Sequence, residues 1–316
     1  MATRLPIKPA PHLRDELTTQ KIMLLVMAAL VPAAMSGIIR FGWRAAFLMV
    51  FCIAVSMGTE GICRMLMKRE QTIQDGSAAL TGLLLALNLP VTLPLCAAGV
   101  GCVFAIAVVK QLFGGLGQNF ANPAITARVF LMLSLTSDMT NWILPRGKTL
   151  YFGYDAVSAA TPLVNTDVSL QDLFWGAHGG CIGETCAAAL LFGGMFLIFL
   201  GLVSPTIPGA YLGSFALCVL VYSGGDFHEM FYQLMAGGLM LGAFFMATDY
   251  VTSPVTTLGR ILFGIGCGVL TFLIRYFGSF PEGVSLAILL MDILTPYLDR
   301  LTMPRPFGAA GKGDAA

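Results

Sequence analysis

The chain has 316 residues, 57% of them hydrophobic and 11% charged, and its mean hydropathy is +0.81. Soluble domains run near ~45–50% apolar and ~25% charged, so an ordinary soluble domain, a disordered chain and a secreted disulfide scaffold are all excluded. A net charge of +1 provides neither a basic nucleic-acid surface nor an acidic tail, so no nucleic-acid partner is expected and the lipid bilayer is the expected surrounding.

Residues 1–21 read as a polar leader carrying Pro6, Pro9 and Pro11. Uncharged runs bounded by charge, Pro or Gly then predict spans at 22–39, 43–63, 76–89, 95–112, 123–137, 183–203, 208–224, 228–248, 257–277 and 282–299. No convincing cleavage pattern follows the first run, so an uncleaved first span is the simpler reading. The expected fold class is an all-α polytopic membrane protein of about ten transmembrane helices in one bundle. Residues 138–182 form the one long polar connection. With the N-terminus inside, thirteen of the eighteen Lys and Arg fall at inner ends, Lys110 and Arg128 among them, against five at outer ends. Both termini are then cytoplasmic, and 138–182 is an extracytoplasmic loop.

An internal repeat shapes this bundle. Gly99-Val100-Gly101-Cys102 recurs as Gly264-Ile265-Gly266-Cys267, and Lys110 matches Arg275 at the same offset. Upstream, Asn88-Leu89-Pro90-Val91-Thr92-Leu93-Pro94 resembles Asp249-Tyr250-Val251-Thr252-Ser253-Pro254. Five spans separate the copies, which makes them an inverted repeat of five plus five, a plan that often surrounds a midplane site of broken helices. The expected division is 1–21 leader, 22–137 first five-helix repeat, 138–182 outer loop, 183–299 second five-helix repeat and 300–316 cytoplasmic tail.

Charges within apolar spans are costly and invite a functional reading. Glu60, Asp249, Asp292 and Asp299 stand out. A carboxylate beside hydroxyls and exposed carbonyls coordinates a hard cation or relays a proton. The plainer reading is a helix cap or an Arg partner at the water interface, favoured for Asp299 beside Arg300. The stretch Lys110 to Pro123 is an inner loop rich in glycines and amides (Gln118, Asn119, Asn122). Its amides suit a polar ring edge, and a tight helix connection is the alternative. It lacks a phosphate-loop pattern. Eight scattered cysteines and three isolated histidines show no zinc or iron–sulfur spacing. In the outer loop, Tyr154 to Leu163 is by composition an Asp/Ser turn before a proline. From residues alone the reading ends at a transporter-like bundle, a non-redox channel included.

The chain resembles the RnfD family, the D subunits of the Rnf ion-translocating ferredoxin:NAD⁺ oxidoreductase, and is also similar to the related B subunits of the Na⁺-translocating NADH:quinone oxidoreductase. The resemblance rests on Asp75-Gly76-Ser77-Ala78-Ala79-Leu80-Thr81-Gly82, Phe113-Gly114-Gly115-Leu116-Gly117-Gln118-Asn119, Gly183-Glu184-Thr185, Phe245-Met246-Ala247-Thr248-Asp249 and Pro281-Glu282-Gly283. The short leader favours the Rnf member. The resemblance implies a flavinylation signature, D-x-x-S-G-A-T, matched by Asp155, Ser158, Ala160 and Thr161, with Ala159 in place of the usual glycine. Thr161 is then the implied attachment site of covalent FMN, esterified through its phosphate by a flavin transferase outside the cytoplasm. It further implies the other Rnf proteins, RnfA, RnfB, RnfC, RnfE and RnfG, as partners, with electrons arriving from the covalent flavoprotein RnfG, and an inner-membrane location. A second, non-covalent flavin, riboflavin or FMN, is expected at the amide loop, at Asn119 and Asn122. Ion-path roles are implied for Glu60, Asp249 and Asp299. Tyr250 stands where proline is common, and Asp292 where asparagine is common.

Overall fold

The computed structural model describes residues 18–143, 158–159, 162–163, 168–278 and 282–304. These residues are mostly helical. Thr18 opens α1 (Thr19–Phe41), its hydroxyl accepting from the Lys21 amide. Gly42, at φ 76°, turns the chain directly into α2 (Trp43–Leu66). Both helices carry apolar side chains on their outer faces, such as Leu24, Ile39, Phe47 and Val50. An apolar exterior over an apolar core belongs to a helix in lipid, since neither side of it faces water.

The next segments are shorter. Helix α3 (Ser77–Leu87) stops at Asn88, and an irregular stretch through Pro94 leads into α4 (Leu95–Gln111), whose second half from Phe104 is π-helical. At 11 residues α3 is about 16 Å long, roughly half of a hydrocarbon layer. Helix α5 (Pro123–Ser134) starts on an Asn122 cap and is followed by the one-turn α6 (Thr136–Met139). Strands β1 (Trp142–Ile143) and β2 (Ser158–Ala159) pair antiparallel, Trp142 with Ala159 and Ile143 with Ser158. Then come α7 (Leu170–Trp175), α8 (Ala187–Phe199), α9 (Thr206–Tyr222) and α10 (Phe227–Met235). Helix α11 (Leu239–Leu241) continues as a π-helical turn to Met246, and a second irregular stretch, 247–256, leads into α12 (Thr257–Phe277) and α13 (Val284–Thr302).

Each predicted span carries helix, but among the described residues three helices, α1, α2 and α12, are long and apolar enough to cross a membrane by themselves. The predicted spans at 76–89 and 228–248 contain helix that stops at a break. Pro90 and Pro94 keep the chain after α3 from resuming a helix before Leu95, because proline cannot donate to a helix ladder and pushes the residue before it out of the helical region; Pro254 does the same just before α12, while the second helix has already ended at Met246.

The recurring glycine motif has a packing role. An added methyl at Gly101 of α4 would stand 2.6 Å from Leu131 of α5, and one at Gly266 of α12 would stand 2.5 Å from Met291 of α13. Each copy thus uses its second glycine to seat the helix that follows. Small residues at such crossings bring backbones together where lipid supplies no hydrophobic drive.

Candidate functional site

Two broken helices meet inside the bundle. The Asn88 amide, at the end of α3, reaches Met246 Sδ at 3.5 Å, where the second half-helix ends. A helix end buried in lipid must find partners for its free carbonyls. The 180s loop supplies them: Gly183 N–H donates to Leu87 O at 2.8 Å and Ile182 N–H to Leu89 O at 3.2 Å.

Around this junction lie three buried polar groups. On one side, Glu60 of α2 accepts through Oε1 from Lys110 Nζ at 2.9 Å, Gln111 Nε2 at 2.8 Å and Thr72 Oγ1 at 3.2 Å. Lys110 also donates to Ser77 Oγ at 2.7 Å. Both charges are buried, and they neutralise one another. Glu60 therefore has a cation of the chain's own as its partner.

On another side, Arg128 of α5 gathers Asn88 Oδ1 at 2.6 Å, Glu184 Oε1 at 2.7 Å and the Glu282 carboxylate. Cys181 Sγ lies 3.6 Å from the same guanidinium. Arg275 of α12 approaches from behind, donating to Glu282 O, Gln233 O and Ala236 O. The charge count along the sequence places Arg128 and Lys110 at the inner membrane surface. The structure buries both, and Arg64 with them, so ten of the thirteen inner-end cations remain for the orientation rule against five outer ones, counted from the expected positions. Sequence reasoning missed Arg128, Glu184 and Glu282 as site residues. Their signal was present: three charges in apolar surroundings, which the cost of burial forces to find one another.

The third group is Asn122. Its Oδ1 caps α5, accepting from Ala124 N at 3.0 Å, and its Nδ2 donates to Met246 O at 3.3 Å. Its backbone N–H donates to Asp292 Oδ2 of α13 at 2.9 Å. Asn122 thereby ties α5 to the second half-helix and to α13.

A pocket open on one side lies between the two halves of the chain. Its walls come from α1 (Met23, Val26), α3 (Leu80, Leu84), the amide loop (Leu116, Asn119, Asn122) and the second break (Phe244, Phe245, Thr248, Asp249). Lys110 reaches it as well. The amide loop takes its shape from Gly114, Gly115 and Gly117, all at positive φ. Of the two amides singled out from the sequence, Asn122 is engaged by the fold, while Asn119 Oδ1 is buried with no hydrogen-bond partner among the described residues. The pocket is largely apolar with one unpartnered amide oxygen, a donor set that could hold the polar edge of a ligand.

The remaining predicted residues separate. Asp249 lines the cavity, its Oδ1 only 3.5 Å from Val251 N. Asp299 lies at the end of α13 and accepts from Val255 N at 3.0 Å, a cap on the turn before α12. Thr161 and Asp155 lie outside the described residues, and of Ser158 the backbone pairing in β2 is described. The residues after Thr161 are anchored: Tyr232 OH of α10 donates to Pro162 O at 2.9 Å, and Leu163 packs on Leu173, Tyr232 and Ala236.

Comparison with known proteins agrees with this architecture. Residues 6–308 match the NQR2, RnfD, RnfE family. The chain belongs to that family. It is 45% identical over 315 residues to the D subunit of the Na⁺-translocating ferredoxin:NAD⁺ oxidoreductase complex of Acetobacterium woodii, covering 96% of this chain and 95% of the relative. It is 39% identical over 320 residues to the D subunit of the proton-translocating ferredoxin:NAD⁺ oxidoreductase complex of Clostridium ljungdahlii, covering 96% of each. It is also 39% identical over 337 residues to the D subunit of the ion-translocating oxidoreductase complex of Stutzerimonas stutzeri, covering 94% of each. Relatives with this near full-length match are named as parts of ion-translocating complexes, consistent with the lipid-facing helices described above.

Proposed function

We propose that the chain is the D subunit, a membrane component, of an ion-translocating ferredoxin:NAD⁺ oxidoreductase of the Rnf type, and that it carries electrons through flavin. The carrying observation is the near full-length identity to three relatives whose names state an ion-translocating oxidoreductase complex. Those relatives divide between Na⁺ and protons, so their names leave the ion open. On this reading RnfA, RnfB, RnfC, RnfE and RnfG are its partners, and both termini face the cytoplasm. The equivalent seating of Gly101 on α5 and Gly266 on α13 supports the arrangement in two five-span inverted repeats.

Two flavin positions belong to the proposal. Thr161 bears covalent FMN at the outer surface, attached by a flavin transferase, and the anchoring of Pro162 by Tyr232 supports a fixed tether point. A non-covalent riboflavin or FMN would be held in the cavity, with Asn119 supplying the polar contact. A flavin accepts electrons in pairs and passes them on singly, which side chains do not do. The chain's own residues would hold the ring, with Phe244, Phe245 and Leu84 excluding water from it, while Lys110 stays paired with Glu60 at the wall. Glu60, Asp249 and Asp299 are the proposed acidic positions of the ion route. Asp249 has the best geometry of the three, because it faces the cavity without a cationic partner among the described residues.

In-gel fluorescence of the denatured protein, coexpressed with its transferase, tests the reading. The native chain fluoresces and Thr161→Ala does not. A dark native band from an active complex refutes covalent flavin here.

A further inference from the structure

Arg128 on α5 is asked for more hydrogen bonds than it can give. Its Nη1 donates to Asn88 Oδ1 at 2.6 Å. Its Nη2 carries two hydrogens, yet three acceptors lie against it: Glu282 Oε2, Glu184 Oε1 at 2.7 Å and Cys181 Sγ at 3.6 Å. An oxygen of each carboxylate and the sulfur all lie within 4.8 Å of one another. Glu184 is 2% exposed and Glu282 8%. Their second oxygens, Glu184 Oε2 and Glu282 Oε1, are buried and take no hydrogen bond among the described residues.

Among the described residues, the ionisable groups facing this pair are Arg128 from α5, Arg275 from α12 and Cys181 from the loop that carries Glu184. Arg275 directs its hydrogen bonds to main-chain carbonyls, Glu282 O, Gln233 O and Ala236 O. It offsets charge and supplies neither carboxylate with a donor. The start of the second half-helix presents only Gly238, where an added methyl would stand 2.6 Å from Glu184 Oε1, and α3 presents the neutral Asn88. The two guanidinium groups and the two carboxylates balance in charge, but a buried carboxylate also needs donors for its oxygens. One proton supplies what is missing, because it turns the contact between two like charges into a hydrogen bond. A metal ion at the same place would lie against the Arg128 guanidinium.

We propose that Glu184 and Glu282 form a proton-binding site, with one proton held between the two carboxyl groups. Glu282 already accepts an Arg128 N–H, so Glu184 carries the proton and donates it to Glu282. The site lies at the joint of the broken helices: Gly183 N–H closes α3 on Leu87 O, and Gly238 opens the second half-helix against Glu184. Loss of the proton sets two anions against each other at that joint. The site is independent of the flavin reading and of which ion is translocated.

Infrared difference spectra of the purified whole complex at neutral pH test it. The native complex shows the carbonyl stretch of a protonated carboxylic acid, which moves to lower wavenumber in D₂O. That band is absent from Glu184→Gln. It is absent too from Glu282→Gln, because either carboxylate left alone with Arg128 is an anion. Glutamine has the shape of a protonated carboxyl group and donates in the same way, so the Glu184→Gln complex assembles and keeps the native thermal midpoint. A native spectrum that matches Glu184→Gln in the acid region shows both carboxylates ionised and overturns the proposal. A band that survives Glu282→Gln belongs to a lone buried acid and overturns the shared proton. Failure of the Glu184→Gln complex to assemble means that the charge itself is needed, and overturns it as well.

Discussion

The Glu60–Lys110 pair offers a sharp quantitative test, because its members are joined at 2.9 Å and both are buried. Replacing Lys110 with methionine leaves the Glu60 charge with two neutral donors, Gln111 and Thr72. Replacing Glu60 with glutamine leaves the Lys110 ammonium with Ser77. Breaking a buried pair from one side costs about 3–5 kcal/mol, since the remaining charge stays desolvated. The double variant Glu60→Gln/Lys110→Met removes both charges and keeps an amide oxygen for Gln111 and Thr72. Such double replacements are often neutral or stabilising by ~1–4 kcal/mol. The thermal midpoint of the detergent-solubilised complex should therefore fall by roughly 6–15 °C in each single variant, and return close to the native value in the double. Ion pumping in liposomes adds a second axis: a stable double variant that no longer pumps assigns Glu60 to the ion route, and one that pumps normally makes it structural. Single variants as stable as the native chain, or a double variant as unstable as the sum of the singles, would refute the account of the pair.

Two further perturbations probe the junction and the cavity. Gly183→Ala puts a methyl 2.6 Å from Leu87 Cβ and 3.1 Å from Leu87 O. Overpacking of this kind costs about 1–3 kcal/mol, and strain on the Gly183 N–H bond adds about 1 kcal/mol, read as a lower thermal midpoint with covalent flavin retained. A native midpoint in that variant would show that the 180s loop does not close the α3 end. Asn119→Leu removes the lone amide oxygen from the cavity. The flavin released by acid precipitation of the complex should then be held about tenfold more weakly, the equivalent of ~1.4 kcal/mol, while fluorescence at Thr161 persists. Unchanged extractable flavin would take Asn119 out of the cavity's ligand contacts.

Much of this protein is legible without any coordinates. Hydrophobic runs mark where helices lie, because a lipid-facing helix must be apolar along its length. Prolines at 90, 94 and 254 mark the two breaks, because proline lacks the donor that continues a helix. The recurrence of Gly101 as Gly266 marks where Leu131 of α5 and Met291 of α13 pack, because the missing side chain leaves room for theirs. Partners are not legible. Lys110 and Arg128 read as inner-surface cations, since a one-dimensional charge count records which residues are basic and says nothing of which way they face. Folding brings Lys110 onto Glu60 and Arg128 onto Glu184 and Glu282, contacts across 50 to 154 positions of chain. Local sequence decides where backbone hydrogen bonds must stop, while the pairing of buried charges is decided by the distances that only the packed chain sets.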